Sequence, residues 1–420
     1  MSRPSKTLRA CRICHAKRLA VYLNLGRLPL ANAYLRSKDL GQNEFIEELA
    51  LQLCRQCGLS QLTKVVHPDR MFKNYLYVSS TPSTFREHCA ELARSLQTSA
   101  SLRPEDLVLD IGSNDGCLLR CFKKKGMRVV GVDPAKNLAA EANQQAIPTL
   151  CAYWSETTAG KILQRYGSPR LVTSLNVVAH VDDVHQFVRG VKRCLAPDGV
   201  WLIEVPYLLD FIERNEFDTA YHEHLSYMSL HPLSALVSQY GLEIFDTGYF
   251  PKLHGGTIRV FVGRKGRHRV HARVGRWLKR ERDFGVKQLY PYRAFAHRVL
   301  ENKSSLLALI KNIRRRKQRL WAYGASAKGN TLMGFFGLSR RDVPVAIDDN
   351  PKKWGFYTPG SHLRITGIQE LRQSSVDYLL LLAWNFKDEI MRRCKAVEYR
   401  GAFVMPIPRA KVVANTMKRG

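Results

Sequence analysis

Four consecutive side chains, Tyr221, His222, Glu223 and His224, are suited to proton transfer. An imidazole changes its charge near neutral pH, and a neighbouring carboxylate or phenol can set its tautomer and basicity. A zinc-protease site is excluded, because the pattern H-E-x-x-H would need a histidine where Ser226 stands. The block therefore predicts general acid–base chemistry.

A second group of residues predicts a nucleoside cofactor. The segment LVLDIGSNDG, residues 107–116, is an apolar run that reaches an acid and then breaks into a glycine loop. In a doubly wound sheet such a loop approaches the ligand, and the acid after the next strand accepts the ribose hydroxyls. The dinucleotide pattern G-x-G-x-x-G is absent, and acids stand where its pyrophosphate would lie. This pattern resembles class I S-adenosylmethionine-dependent methyltransferases. The residues assigned to S-adenosylmethionine are Asp110, Gly112, Asp115, Gly116, Asp133 and Asn176.

Four of the ten cysteines form two tight pairs, Cys11 with Cys14 and Cys54 with Cys57. Two C-x-x-C turns can complete a tetrahedral zinc site with no open coordination position. They therefore predict a structural rather than a catalytic Zn²⁺. The remaining cysteines are expected to be small core residues; they are Cys89, Cys117, Cys121, Cys151, Cys194 and Cys394.

The elements that must position these residues belong to an α/β protein of several domains, since 420 residues exceed the usual size of one domain. Apolar runs at 319–325, 343–347 and 378–383, with a glycine turn after the first, repeat the α/β theme near the C-terminus. The predicted units are a zinc-binding module (1–85), a central class I methyltransferase Rossmann-like sheet (86–263), a basic helical connector (264–318), a second Rossmann-like α/β domain (319–410) and a tail (411–420).

The glycine turn of the C-terminal unit, 324–331, matches neither a Walker A loop nor a Rossmann loop. Lys328 precedes the second glycine, and Ser326 stands where a Rossmann loop needs glycine. What remains is a glycine turn with a lysine near a helix N-terminus. It suits an anion such as a diphosphate, although a purely structural turn is an open alternative.

The net charge of +30 is concentrated in residues 264–319, which hold 19 lysines or arginines and three acids. The same stretch carries apolar residues at helical spacing; they are Leu300, Leu306, Leu307, Ile310 and Ile313. Such a stretch can attract RNA or a phosphate-bearing substrate, or simply form a solvated helix face. The charge alone does not choose a partner.

The sequence contains no apolar run approaching the roughly 18 residues that cross a bilayer, and its first ten residues lack the apolar core of a signal peptide. We therefore expect a cytoplasmic chain without a membrane partner. We also expect it to be a monomer.

Around FDTAYHEHLSY, residues 217–227, the chain resembles the sugar C-methyltransferases of deoxysugar biosynthesis, which build branched sugars such as mycarose and tetronitrose on a nucleotide carrier. Further blocks follow the family in order, namely the two cysteine pairs, NYLYVSS, LDIGSNDG, LNVVAHVDD, HGGTIRVFV, WAYGASAKGNTLMG, IDDNPKKWGFYTPG and LLLAWNFKDEI. The resemblance implies a zinc-binding N-terminal domain, a central S-adenosylmethionine domain and a C-terminal domain that helps to hold a nucleotide sugar.

The resemblance also implies a chemistry. A C–H bond becomes acidic enough only beside a ketone, so a 4-keto sugar is the expected substrate; a base removes the proton and the enolate attacks the sulfonium methyl group. His224 is assigned as this base, with Glu223 and Tyr221 orienting it or binding the sugar and the enolate oxygen. His180 is assigned to the active site at the cofactor edge, with an ordinary turn histidine as the alternative.

Further substrate contacts follow from the same resemblance, each with a structural alternative. Tyr75 or Tyr77 is expected to reach the sugar from the zinc module. His254 precedes Gly255 and Gly256, which permit a close backbone approach. The other expected contacts are His222 with the sugar and Lys328, Lys352 and Lys353 with the diphosphate.

Three alternatives remain open. An RNA methyltransferase could use the basic stretch, but the Asp/Asn-Pro-Pro-aromatic tetrad of base N-methylation is replaced by residues 176–180, NVVAH, and no Pro-Cys pair occurs for pyrimidine methylation. A non-enzymatic zinc scaffold is disfavoured by the complete cofactor loop. A C-methyltransferase acting on another enolisable anionic metabolite fits the same residues. The sequence leaves open which ring carbon is methylated and which nucleotide carries the sugar.

Overall fold

The computed structural model describes residues 4–72, 79–80, 83–251, 253 and 255–415. Its N-terminal unit is built on two long antiparallel strands, the first with both buried and exposed side chains and the second buried along most of its length, with the cysteine pairs at one end. The elements are β1 (Ser5–Thr7), β2 (Leu19–Pro29), β3 (Ile46–Cys54), β4 (Ser60–Leu62), β5 (Lys64–Val66) and α1 (Asp69–Phe72).

The central unit is a seven-stranded sheet that is parallel except at one end. Its elements are α2 (Ser83–Ser99), β6 (Leu107–Ile111), α3 (Cys117–Lys123), β7 (Arg128–Asp133), α4 (Lys136–Gln144), β8 (Thr149–Cys151), α5 (Glu156–Tyr166), β9 (Leu171–Leu175), α6 (Val184–Cys194), β10 (Val200–Pro206), α7 (Leu208–Glu213), β11 (Ser226–Tyr227), α8 (Leu230–Ser238), β12 (Leu242–Phe250) and β13 (Thr257–Arg264). The strand order is β12-β13-β10-β9-β6-β7-β8, with β13 antiparallel to both of its neighbours. The predicted class I methyltransferase sheet is confirmed, and its strand order reverses between β6 and β9.

The predicted basic connector consists of α9 (Ala272–Phe284) and α10 (Tyr290–Arg315), both packed into the body of the protein. Helix α10 buries Phe295, Val299 and Leu306 against the rest of the core. Leu300 was expected on this apolar face and is instead 53% exposed, because Val299 occupies the inward position at that turn.

The C-terminal unit is a second Rossmann-like sheet in the order β16-β15-β14-β17-β18-β19, as predicted. Its elements are β14 (Leu320–Tyr323), α11 (Ala327–Phe336), β15 (Val345–Ile347), β16 (Arg364–Thr366), β17 (Tyr378–Leu381), α12 (Lys387–Ala396), β18 (Ala402–Met405) and β19 (Lys411–Val413). Strand β19 was assigned to a tail, and for these three residues that prediction is wrong. It pairs antiparallel with β18 as an exposed edge strand held by backbone hydrogen bonds, so it leaves little apolar pattern in the sequence.

A strand from the middle of the chain completes the N-terminal sheet. Its order is β11-β4-β3-β2, and β11 pairs Ser226 with Gln61 and Tyr227 with Ser60. The residue before β11, Leu225, bonds through its backbone to Leu62 on one side and to the turn after β9 on the other. The N-terminal sheet and the central sheet are thus joined through the block that ends in β11.

The cysteines outside the two pairs do not all lie in the core. Cys89, Cys117, Cys194 and Cys394 are buried, but Cys151 is exposed at the end of the edge strand β8, where the sheet has no further neighbour. Among the described helices, none has the length and apolarity required to traverse a lipid bilayer.

Candidate active site

The glycine loop after β6 is shaped by close contacts that only glycine allows. Gly112 has φ +73°, and a side chain on it would collide with Val177 of the turn after β9. The carboxylate of Asp133, at the end of β7, accepts backbone hydrogen bonds from Asn114 at 2.8 Å and from Ala135 at 2.9 Å. The loop and the acid therefore form one rigid edge at the point where the strand order reverses, the usual ligand position in such sheets.

Two acids of this loop are used differently from the expectation. Asp110 is buried beneath the loop, accepts a hydrogen bond from Thr173 at 2.7 Å, and has its pKa raised to about 7 by burial. Asp115 pairs with Arg120 of α3 at 2.9 Å. Arg120 therefore compensates the charge of Asp115, and burial favours the protonated form of Asp110, so these two acids oppose a pyrophosphate less than their positions in the sequence indicate. Asp133 remains as the acid placed for a ribose.

Asn176 lies across the strand-order reversal from the glycine loop. It has φ +56°, and its backbone N–H donates to the carbonyl of Glu204 at 2.7 Å. Its side-chain oxygen is buried and has no hydrogen-bond partner among the described residues. It is thus positioned for a polar ligand at the carboxyl edge of β9.

His224 is held in one tautomer by its two neighbours. Its Nδ1 lies 2.8 Å from the carbonyl oxygen of Thr219, so this nitrogen must carry the proton and donate it. Its Nε2 lies 2.9 Å from the hydroxyl of Tyr221 and accepts from it. Burial, the neighbouring His180 and the charge of Lys328 lower the pKa of His224 well below its ordinary value. The imidazole is therefore neutral, with a lone pair on Nε2.

His180 lies at the end of the 3-10 turn Val178–His180 and packs edge to face against His224, with ring centroids 4.7 Å apart. Burial lowers the pKa of His180 to about 4. The two histidines approach each other from the carboxyl edge of β9 and from the block before β11. The structure therefore brings together two residues that the sequence separates by more than forty positions.

Burial divides the Tyr221–His224 block into its two end residues and its two middle residues. Tyr221 and His224 are partly exposed, whereas His222 and Glu223 are buried. The ring of His222 turns away and lies against the backbone carbonyl of Glu47 in β3, at 3.2 Å. The expected substrate contact of His222 is therefore wrong, because its side chain lies on the side of the block that packs on the N-terminal sheet.

Glu223 is oriented by a residue that the sequence did not single out. The side-chain amide of Asn32, in the loop after β2, donates to its carboxylate at 2.7 Å. The contact spans 191 positions in the chain. The residues around Asn32 in the sequence give no indication of this hydrogen bond.

The glycines of the HGG block do permit a close approach, and the approaching groups are carboxylates. A side chain on Gly255 would collide with the carboxylate of Glu216, and one on Gly256 with that of Asp210. Burial raises the pKa of Glu216 to about 8. The two glycines therefore pack against two buried carboxylates, those of Glu216 and Asp210, beside the 3-10 turn Phe217–Thr219. The other residues expected here, His254, Tyr75 and Tyr77, lie outside the described residues.

Lys328 points into the joint between the central and C-terminal units. Its ammonium is buried, has no hydrogen-bond partner among the described residues, and lies 5.6 Å from the ring centroid of Trp384. Trp384 in turn donates to the carboxylate of Asp218 at 2.7 Å. Burial raises the pKa of Glu216 and of Asp218, and the charge of Lys328 partly offsets that rise; for His224, burial lowers the pKa and Lys328 acts in the same direction. Asp218 and Trp384 both lie in blocks that carry the family resemblance, FDTAYHEHLSY and LLLAWNFKDEI, but the sequence did not indicate that the two residues are in contact.

The other two candidate lysines differ from each other. Lys353 is buried and bonds to the carboxylate of Asp348 at 3.2 Å and to the carbonyl of Ala325 at 2.7 Å. The hydroxyl of Tyr34 donates to the same carbonyl at 2.6 Å. Lys353 therefore serves the joint between the N- and C-terminal units, and its expected diphosphate contact is wrong. Lys352 is exposed.

The four paired cysteines form one cluster, as predicted. Their sulfur atoms all lie within 4.8 Å of one another, with Cys11 and Cys57 at 3.5 Å and Cys14 and Cys54 at 3.5 Å. A set of four thiolates from two turns fits the closed tetrahedral coordination of structural Zn²⁺. The cluster holds the start of β2 against the turn between β3 and β4.

Comparison with known proteins decides the family. The chain is 35% identical over 406 residues to the C-methyltransferase NovU of Streptomyces niveus, covering 96% of both chains. It belongs to the C-methyltransferase family. Family models match a zinc binding domain at residues 11–72, a methyltransferase domain at 84–247 and a C-methyltransferase C-terminal domain at 252–408. This C-methyltransferase uses S-adenosylmethionine and carries a structural zinc site.

More distant similarities are partial. The ubiquinone biosynthesis O-methyltransferase of Bartonella tribocorum is 26% identical over 164 residues, which is 35% of this C-methyltransferase and 64% of that relative. An S-adenosylmethionine-dependent methyltransferase structure from Clostridium acetobutylicum has 14% identity and a TM-score of 0.35, covering 43% of this chain and 92% of that one. Magnesium protoporphyrin IX methyltransferase from Synechocystis, solved with bound S-adenosylmethionine, has 16% identity and a TM-score of 0.33, covering 43% and 79%.

Proposed function

We propose that this C-methyltransferase transfers a methyl group to a carbon adjacent to the ketone of a nucleotide-linked 4-keto-deoxysugar, through an enolate formed by His224. The proposal depends chiefly on the tautomer of His224. A proton on Nδ1, fixed by Thr219, leaves the lone pair of Nε2 on the side of Tyr221 and His180. This is the form that a general base requires.

The chemistry follows from the need for a carbon nucleophile. His224 Nε2 takes the proton from the carbon beside the ketone, and the electron pair of the broken C–H bond forms an enolate. That pair then forms the new C–C bond with the methyl group, while the pair of the breaking S–C bond stays on sulfur. S-adenosylmethionine supplies the activated methyl group. Because the imidazole ends as imidazolium, the proton must leave Nε2 before the next turnover.

Two crevices support a site with room for both a cofactor and a nucleotide sugar. In the central sheet the strand order reverses between β6 and β9, beside Gly112 and Asn176. In the C-terminal sheet it reverses between β14 and β17, beside Gly324 and Trp384. Ligands of doubly wound sheets bind at such positions. Since Trp384 bonds to Asp218, the C-terminal crevice opens toward the block that contains His224.

Unpaired polar atoms around this joint fit a sugar. Buried polar groups are normally hydrogen-bonded, so several without partners in one region point to a polar ligand. Among the described residues, such atoms belong to elements that pack around His224: Asn176 Oδ1, Asp218 Oδ1, Thr219 Oγ1, Lys328 Nζ and Asn330 Oδ1. They include both donors and acceptors, as the hydroxyl and keto groups of a sugar require.

The neighbouring residues take roles that match their positions. Tyr221, which donates to His224, is placed to stabilise the neutral base and then to bind a sugar or enolate oxygen. Glu223, on the buried side of the block with His222, holds the block in place through Asn32 and so helps to position the adjacent His224. His180, neutral because its pKa is about 4, borders both the base and the cofactor edge.

The test is hydrogen exchange without the methyl donor. The protein is incubated in D₂O with a panel of nucleotide 4-ketosugars, and deuterium uptake is read by mass spectrometry and NMR. We expect uptake at one carbon beside the ketone, reduced at least 100-fold in His224→Asn. His222→Asn is the matched control, since that ring faces β3, and it should retain exchange. Undiminished exchange in His224→Asn, or a product methylated on oxygen or nitrogen once S-adenosylmethionine is added, would contradict the proposal.

A further inference from the structure

We propose that Arg12 is a positioning residue that couples the zinc cluster to the turn carrying His180. Zinc bound in the N-terminal module would then set the geometry of the active site without touching the substrate. The inference relies on the proposed role of His180 in catalysis, and its contacts can be tested without any sugar substrate.

Arg12 stands between two zinc-binding cysteines and reaches out of the cluster. Its backbone N–H donates to the side chain of Gln61 at 3.0 Å, which fixes the turn Cys11–Cys14, here called the knuckle, against β4. Its guanidinium donates through Nη2 to the carbonyls of Val181 and, at 2.6 Å, Asp182. These carbonyls follow His180 directly in the chain, so the cation clamps the turn on which that imidazole stands.

The clamp is buried and specific. Arg12 is only 7% exposed, and among the described residues its guanidinium is hydrogen-bonded through Nη2 alone, to these two carbonyls, whereas Nε and Nη1 have no partner. Because an unbonded buried cation is unfavourable, moving the side chain away from the turn would remove the only bonds that this guanidinium makes there. The carboxylate of Asp182 lies 3.8 Å away and adds attraction. The turn and the knuckle are therefore held in one relative position.

Two further contacts join the N-terminal module to residues 181–185 and are expected to contribute less than the bonds of Arg12. Lys6 pairs with Asp182 at 2.8 Å on the surface, and the ring of His15 stacks on His185 at 4.7 Å. Lys6 is largely exposed, and exposed ion pairs contribute little. Of the contacts to residues 181–185, the buried bonds of Arg12 are thus the ones expected to fix the turn.

In this proposal, zinc affects the active site because it fixes the position of Arg12. Four cysteine sulfurs within 4.8 Å of one another can all be thiolates only when a cation compensates their charge, so we expect metal binding to stabilise the shape of the knuckle. When the knuckle opens, the guanidinium moves with it. The turn that contains His180 then keeps the bond from Leu225 to Ala179 but loses the bonds of Arg12 to Val181 and Asp182, while the cofactor loop after β6 keeps its own contacts.

The experiment compares Arg12→Met with Lys6→Met in the full-length protein, each with zinc content measured. The NMR signal of the His180 ring, assigned by its loss in His180→Gln, reports the position of the turn without substrate. We expect Arg12→Met to retain one zinc ion per chain and unchanged S-adenosylmethionine affinity, to shift the His180 signal, and to lower kcat at least tenfold with KM changed less than threefold. Lys6→Met should leave all of these near the parent values.

Arg12→Lys and metal removal complete the test. Lysine keeps a cation over the two carbonyls and should recover part of kcat and of the His180 signal, whereas chelation of zinc should shift that signal as Arg12→Met does. The proposal is overturned if Arg12→Met leaves the His180 signal and kcat unchanged, if kcat falls only in proportion to lost zinc, or if Arg12→Lys is no better than Arg12→Met. A shifted signal in a protein inactive on every ketosugar would count against the proposed substrate instead.

Discussion

The hydroxyl of Tyr221 donates to Nε2 of His224 across 2.9 Å, and this contact favours the neutral imidazole. Burial, His180 and Lys328 act in the same direction on the pKa of His224. A base is active only when unprotonated, so a lowered pKa extends activity toward acid. We expect kcat/KM to be flat through pH 6 to 7, with its acid limb below the ordinary histidine value of about 6.5. Tyr221→Phe removes the hydrogen-bond donor and should move the acid limb of kcat/KM to higher pH. An unchanged limb would show that Tyr221 does not affect the pKa of His224.

Asp133 and Asp348 occupy equivalent positions in the two sheets, which makes them a matched pair. Each accepts one backbone N–H from its glycine turn and another two residues further on. Asp133→Asn should weaken S-adenosylmethionine binding 10- to 100-fold, since hydrogen bonds to a charged group contribute about 1.5–3 kcal/mol. Asp348→Asn should leave that affinity within threefold. Calorimetric titration measures both, and equal losses would place the cofactor elsewhere.

Lys352 and Lys353 are adjacent but should respond differently to removal. Tyr34 and Asp348 raise the pKa of Lys353 against the opposing effect of burial, so it remains a buried cation. Lys353→Met leaves the carboxylate of Asp348 without its cation and should lower the free energy of unfolding by about 3 kcal/mol. Lys352→Met removes an exposed charge and should change it by under about 0.5 kcal/mol. Thermal unfolding followed by circular dichroism separates them, and similar midpoints for the two variants would refute this assignment.

Glu281 shows that α9 is a structural part of the central unit. Its buried carboxylate accepts the backbone N–H groups of Leu230 and His231 at the start of α8, at 2.7 and 2.9 Å, and bonds to the His231 ring. Glu281→Gln should destabilise the protein by about 2 kcal/mol, because charged acceptors at a helix start are the stronger ones. Asp283→Asn, in an exposed pair with Lys279 on the same helix, is the control and should cost under about 0.5 kcal/mol. Denaturation midpoints that coincide would contradict this role.

Features encoded in contiguous sequence could be predicted. The loop around Gly112, the acid Asp133 and the cysteine pairs each depend on a few neighbouring residues, because a tight turn or a pair of thiolates is a local structure. The same holds for both Rossmann-like sheets, whose strands are continuous apolar runs. These predictions needed no knowledge of long-range contacts.

The contacts that complete the site were not predictable in this way. Asn32 reaches Glu223, Arg12 reaches Asp182, and Trp384 reaches Asp218 over distances in sequence of more than 160 residues. Such partners are determined by the packing of whole units, and the residues around Asn32 or Trp384 do not indicate which distant residue each one contacts. The assignment of Lys353 failed for the same reason, since its partner Tyr34 lies in the N-terminal unit.

The pairing of β11 with β4 limits how these enzymes can be recombined. A hybrid built by exchanging residues 1–85 between two relatives would take β2, β3 and β4 from one parent and the edge Ser226–Tyr227 from the other. Any mismatch in side chains along that seam would be transmitted directly to His224, two residues away from it. A functional exchange must therefore carry the segment from Asp218 to Tyr227 together with the zinc-binding module.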